Sequence, residues 1–170
     1  GVVARFPFEG RSGTAATVTL DPSASLNGTI EIVDPAGARI VLADTAGQAE
    51  AESIPAKVPA AAPSVAAVRG QPGSTGAFEV RLDESSITDI TVGEREPARI
   101  GDGAPAGAFR LAGRTDDLVT VVVEPTGDLD PVIEVLDPGG VVIERVDAFG
   151  ATIGETATVR LSEDGDYLVF

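Results

Sequence analysis

The chain repeats itself, and that constrains its fold more than any other feature. Phe6–Leu42 can be set against Phe109–Arg145, 103 positions further on, without a gap. Phe6 meets Phe109, Gly10-Arg11 meets Gly113-Arg114, and Thr17-Val18 meets Thr120-Val121. Pro22 meets Pro125, Leu26 meets Leu129, and Ile30-Glu31 meets Ile133-Glu134. Asp34-Pro35 meets Asp137-Pro138, Gly37 meets Gly140, and Asp44 and Gly47 continue the match to Asp147 and Gly150. Whatever one half folds into, the other folds into as well. The expected division is therefore two small domains, residues 1–85 and 86–170, rather than one large one.

Beyond Gly47 the copies are expected to part. The second runs through Ala157–Leu161 to a turn and a last strand. The first is read as carrying an insert, residues 54–73, whose Ala and Pro content favours an extended segment laid on the surface. The copies are then expected to close alike, Gly76-Ala77-Phe78-Glu79-Val80 matching Gly165-Asp166-Tyr167-Leu168-Val169.

Within each copy the apolar residues alternate. Ala16, Val18 and Leu20 face one way with Thr17 and Thr19 opposite; Val119, Val121 and Val123 take the same places in the second copy. Ile30 and Ile32 flank Glu31, and Ile133 and Val135 flank Glu134, which predicts antiparallel sheets with one buried and one wet face. Two such sheets bury their apolar faces together as a sandwich. Asp34-Pro35-Ala36-Gly37 and Asp137-Pro138-Gly139-Gly140 read as the same tight turn, with Asp bonding backbone N–H groups, Pro pre-setting φ and Gly ending it. Phe6, Phe8, Phe109 and Tyr167, at alternating strand positions, are expected to pack in the core. With 20 Gly, 12 Pro and apolar positions filled by Val, Ile, Leu and Ala, the fold class is all-β, with two tandem antiparallel jelly-roll-like sandwiches.

The order of motifs in the second copy resembles the bacterial pre-peptidase C-terminal domain. An aromatic (Phe109), Gly113, a β run (Val119–Val123) and Gly127-Asp128-Leu129-Asp130-Pro131 come first. The strand Ile133–Leu136, the turn Asp137–Gly140, Asp147 and the closing Gly165-Asp166-Tyr167 follow. Ile90-Thr91-Val92-Gly93 and Ala98-Arg99-Ile100 are similar to that family's opening strand. The first copy lacks this opening, departs from the pattern at Ser25 and Asn27, and carries the 54–73 region. The resemblance implies a jelly-roll-like sandwich attached to secreted enzymes or surface proteins, an accessory or binding module rather than a catalyst. A first domain without its opening strand leaves a sheet edge open to strands from elsewhere.

The formal net charge of −15 sets the protein against nucleic acid and against anionic membrane surfaces. No apolar run of roughly 20 residues is present, so membrane insertion by a helix is not expected. The chain opens at Gly1-Val2-Val3 without Met, which reads as a mature or excised piece of something longer; the resemblance implies a secreted, extracellular or cell-surface location. With no His and no Cys, histidine- and thiol-based catalysis and zinc sites are unavailable within this chain. Lys57, the one lysine, has no convincing nucleophile beside it.

Two candidate sites follow from the residues. Asp128, Asp130, Asp137 and Asp147 are loop carboxylates of the kind that hold calcium, against the plainer reading of turn capping and solvated acids. Asn27-Gly28-Thr29 is a glycosylation sequon, with Asn27 expected in an exposed turn. The functional expectation is a non-catalytic extracellular module, a spacer, adhesion or accessory binding domain whose partners are other protein domains or a cell-surface polymer. The alternatives are a structural subunit of an extracellular filament or surface layer that self-associates by strand sharing, and an accessory region of a secreted hydrolase.

Overall fold

The computed structural model describes residues 3–11, 13–23, 25–44, 47–57, 63–101 and 106–170. Among them every regular element is a β-strand, thirteen in all. The chain divides into two compact units: Gly1–Ser86 with Ile100–Ala106, and Ile87–Arg99 with Gly107–Phe170.

Unit one contains β1 (Val3–Phe8), β2 (Thr14–Pro22), β3 (Gly28–Val33), β4 (Arg39–Ala43), β5 (Glu52–Ala56), β6 (Ser64–Gly70) and the first part of β7 (Phe78–Asp89). One sheet runs β1-β6-β3-β4, antiparallel throughout; facing it, β2 pairs with β5 on one side and β7 on the other. Ala16, Val18, Leu20, Ile30, Ile32, Ile54, Ala56, Ala66 and Val68 form the core between the two layers. The alternation in β2 and β3 thus does what period-2 patterning requires, turning every second side chain toward the opposite sheet.

Unit two contains β8 (Ala108–Gly113), β9 (Leu118–Val123), β10 (Ile133–Leu136), β11 (Val142–Val146), β12 (Glu155–Arg160) and β13 (Gly165–Val169). One sheet runs β8-β13-β10-β11 and the other is the pair β9-β12. The last residues of β7, Ile87–Asp89, lie parallel to Ala108–Arg110 on the outer edge of β8. Ile133, Val135, Ala157, Val159, Leu161, Tyr167 and Val169 form the core.

The strand registers show that the repeat runs further than the residues alone suggested. Phe6 and Ile32 both pair with Ala66; Phe109 and Val135, each 103 positions on, both pair with Val169. Val18 pairs with Ile54 as Val121 pairs with Ala157. The copies therefore stay in step through Glu52 and Glu155 to Ala66 and Val169, and the strand of the first copy equivalent to β13 is β6, not the Gly76–Val80 stretch. The expected insert is corrected accordingly. Residues 54–56 end β5, 64–70 are β6, and residues 58–62 lie outside those described. β6 is a central strand, with Ala66, Ala67 and Val68 almost fully buried between β1 and β3. Alanine is a poor strand former in isolation, but tertiary packing selects it where two neighbouring strands leave little room. Pro55 is tolerated because, among the described residues, β5 has a ladder on one side only.

Two further expectations change. Glu31 and Glu134 do not stand on an open wet face. Glu31 is 7% exposed and bridges Arg69 at 2.6 Å, and Glu134 bridges Arg145 at 3.3 Å. Arginine side chains from neighbouring strands lie over the acids and remove them from bulk water. Of the four aromatics expected inside, Phe8, Phe109 and Tyr167 join the cores, whereas Phe6 is 40% exposed and meets Phe78 edge-on at 6.1 Å.

Candidate functional site: an arginine-lined hollow on unit one

The outer face of the β1-β6-β3-β4 sheet carries a shallow hollow lined by Arg5, Glu31, Val33, Gly37, Arg39 and Arg69. Strand register builds it. Arg5 on β1 lies opposite Ala67 on β6, which lies opposite Glu31 on β3, so the two charged side chains flank a residue too short to fill the space between them. Arg69, two residues along β6 from Ala67, points to the same face and reaches Glu31 at 2.6 Å. Arg39 enters beside Val33, where β3 and β4 shift register. Gly37, at φ +86°, forms the rim in a turn held by Asp34, whose Oδ1 accepts the Ala38 N–H at 2.8 Å.

Glu31 neutralises one of the three guanidinium groups, and no carboxylate is paired with Arg5 or Arg39 among the described residues. The hollow is a local surplus of positive charge on a chain of net charge −15. Planar guanidinium groups bind carboxylate, sulfate or phosphate oxygens in pairs, so the chemistry on offer is retention of an isolated anionic group. It belongs to unit one alone: the positions equivalent to Arg5 and Arg39 are Ala108 and Val142. In unit two the acid at the equivalent place, Glu134, is held from the other side by Arg145 of β11, which also bridges Asp147 at 3.1 Å. Burial pushes the Glu134 carboxyl above the ordinary range, with Arg145 opposing. Sequence reading missed the hollow because its residues lie far apart in the chain and Arg69 falls within the supposed insert.

The four loop acids considered for calcium are not gathered at one point: among the described residues no three metal-binding side chains cluster. Asp137 Oδ1 accepts the Val141 N–H at 2.8 Å, repeating the turn-holding role of Asp34. Asp147 faces Arg145, while Asp128 and Asp130 are exposed on the loop that follows Gly127, whose φ is +72°. Asn27 is half-buried, not in an exposed turn. Its carbonyl accepts the Gln71 N–H at 2.8 Å and the Ser74 hydroxyl at 3.1 Å, and its buried Oδ1 has no partner.

Two buried acids were not anticipated at all. Glu155 is fully buried on β12, with Oε1 accepting the N–H groups of Ala148 at 2.8 Å and Phe149 at 2.7 Å; its counterpart Glu52 on β5 is buried too. Glu155 holds loop backbone, and the recurrence of a buried acid 103 positions apart was a visible signal. No protein-family model matches the chain, and no curated protein matches it.

Proposed function

We propose that this chain is a non-catalytic module of a secreted or cell-surface microbial protein, a tandem β-sandwich acting as spacer, adhesion or accessory binding unit. The observation that carries this reading is the recurrence of six strands in the same pairing and register in both units, β1–β6 of the first matching β8–β13 of the second. Duplicated scaffolds of this kind lengthen a chain and present surfaces. The arginine hollow, present in one copy only, supports a binding role added to a common frame. The likeness of unit two to the pre-peptidase C-terminal domain supports an accessory place beside another activity. The test is incubation of the purified chain with panels of peptide, ester and glycoside substrates, alongside binding to acidic partner domains and cell-surface polymers. The expected result is no turnover, and salt-sensitive binding that weakens in an Arg5→Ser/Arg39→Ser variant. Turnover by this chain alone would overturn the reading.

A second reading, a subunit of a filament or surface layer built by strand sharing, is favoured by one observation. The outer edge of β8 carries Ile87–Asp89, whereas the equivalent edge of β1 has no ladder among the described residues. Sedimentation over a wide concentration range separates the two, because an assembling subunit grows with concentration and a spacer does not.

A further inference from the structure

We propose that the outer edge of β9 is the acceptor for one extended strand, running antiparallel and bearing the alternating apolar and charged side chains of β7. The proposal rests on the modular reading in one respect only: it takes unit two to be a copy of unit one.

β9 sits where β2 sits. Each pairs on one side with its unit's next equivalent strand, β2 with β5 and β9 with β12. On its other side β2 is covered from Thr14 to Pro22 by β7, whereas β9 pairs only with β12 among the described residues. The effect on burial is direct. Phe78 and Val80 of β7 pack against the unit-one core, and Ala16, Val18 and Leu20 are buried beneath it. Their counterparts Val119, Val121 and Val123 stay half-exposed, and on the other face Leu118 and Val122 are 66% and 59% exposed. The strand reads Leu-Val-Thr-Val-Val-Val, without the lysine, proline or charge that ordinarily blunts an exposed edge.

Unit one also supplies the register and the chemistry of the occupant. Thr17 lies opposite Asp83 and Thr19 opposite Arg81, so the incoming strand places its Asp83-like residue at Thr120 and its Arg81-like residue at Val122. Arg11 bridges Glu84 of β7 at 3.2 Å, and Arg114 stands at the position equivalent to Arg11, ready for an acid on the incoming strand. A second copy of this chain is the poorer occupant, because two molecules of charge −15 repel.

The probe is a synthetic peptide with the sequence of residues 76–90. The chain has no cysteine, so a Thr120→Cys variant of the full chain carries a single thiol. Peptides are made with cysteine in place of Asp83, or of Leu82 or Glu84, whose side chains point to the opposite face. The expected result is several-fold more disulfide adduct from the position-83 peptide than from either neighbour, with slowed amide exchange in β9 of the unmodified chain. Because Val122 is exposed, both Val122→Glu and Val122→Lys leave the fold intact. The first is expected to tighten peptide binding several-fold opposite arginine, and the second to weaken it. Equal adduct from all positions, unchanged exchange in β9, or a Thr120→Cys homodimer forming in preference to the adduct would each overturn the assignment. None of these outcomes touches the non-catalytic reading, which the substrate panel tests separately.

Discussion

The Tyr167 hydroxyl closes a small ring onto the backbone of Glu163, donating to its carbonyl at 2.9 Å and accepting from its N–H at 3.1 Å. Tyr167 is fully buried at the centre of the unit-two core, so the one polar atom on its ring is satisfied entirely by the turn that precedes its own strand. The interaction ties β13 to the turn that delivers it.

Removing that hydroxyl leaves the ring and its packing in place. Tyr167→Phe is therefore expected to cost about 1 kcal/mol, the net worth of an ordinary hydrogen bond whose backbone partners regain water. Urea unfolding of the two proteins measures it. A loss of several kcal/mol would mean that the ring itself had moved.

Ser64 occupies in unit one the position of Tyr167 in unit two, and its buried Oγ has no partner. Ser64→Ala is expected to leave stability unchanged or raise it by up to about 1 kcal/mol, because an orphan hydroxyl is exchanged for a methyl group. The change is read from the thermal midpoint.

Glu155 joins the Ala148–Phe149 loop to β12 through two backbone N–H groups on one carboxylate oxygen. Glu155→Ala is expected to destabilise by on the order of 3 kcal/mol, since two charge-assisted bonds are lost at a buried site. Glu155→Gln keeps an acceptor oxygen and is expected to cost less. Denaturant midpoints for the pair of variants, with amide exchange at Ala148 and Phe149, check both statements.

Glu134, Asp89 and Asp164 are expected to protonate in a defined order on acidification. Glu134 goes first, because burial raises it above the ordinary range. Asp89, held by a hydrogen bond from Arg110 at 2.6 Å, and Asp164, which accepts the Thr115 N–H at 2.7 Å and hydroxyl at 2.9 Å, go last. The signs for stability are opposite. A raised carboxyl binds its proton more tightly in the folded state, so Glu134 subtracts stability as pH climbs through and above the ordinary glutamate range. The lowered pair add stability above the ordinary aspartate range and lose it as pH falls through their depressed values. Carbon-detected NMR titration of the side-chain carboxyls gives the order directly.

Much of the scaffold was legible in the chain. Period-2 alternation around Val18, Ile30, Ile133 and Val121 marks strands because successive side chains on an extended backbone must point to opposite faces. The Asp-Pro-x-Gly turns were legible because their backbone demands are local, and Asp34 and Asp137 each bond the N–H four residues on. The candidate site was not legible. Arg5, Arg39 and Arg69 meet on one face only because β6 lies between β1 and β3, a pairing between residues far apart in sequence.

The sequence by itself determined that the protein is all-β, that it is built twice from one pattern, and that histidine and thiol chemistry are absent from it. These are properties of composition, spacing and local backbone preference, which no fold can change. The tertiary structure alone decided that an Ala/Pro-rich stretch contains a central strand, that Glu31 and Glu134 lie under arginines, and that, among the described residues, β9 pairs on one side where β2 pairs on both. Each of those depends on which strand lies beside which. A strand's own residues do not specify that, because the backbone hydrogen bonds that join strands are the same for every side chain.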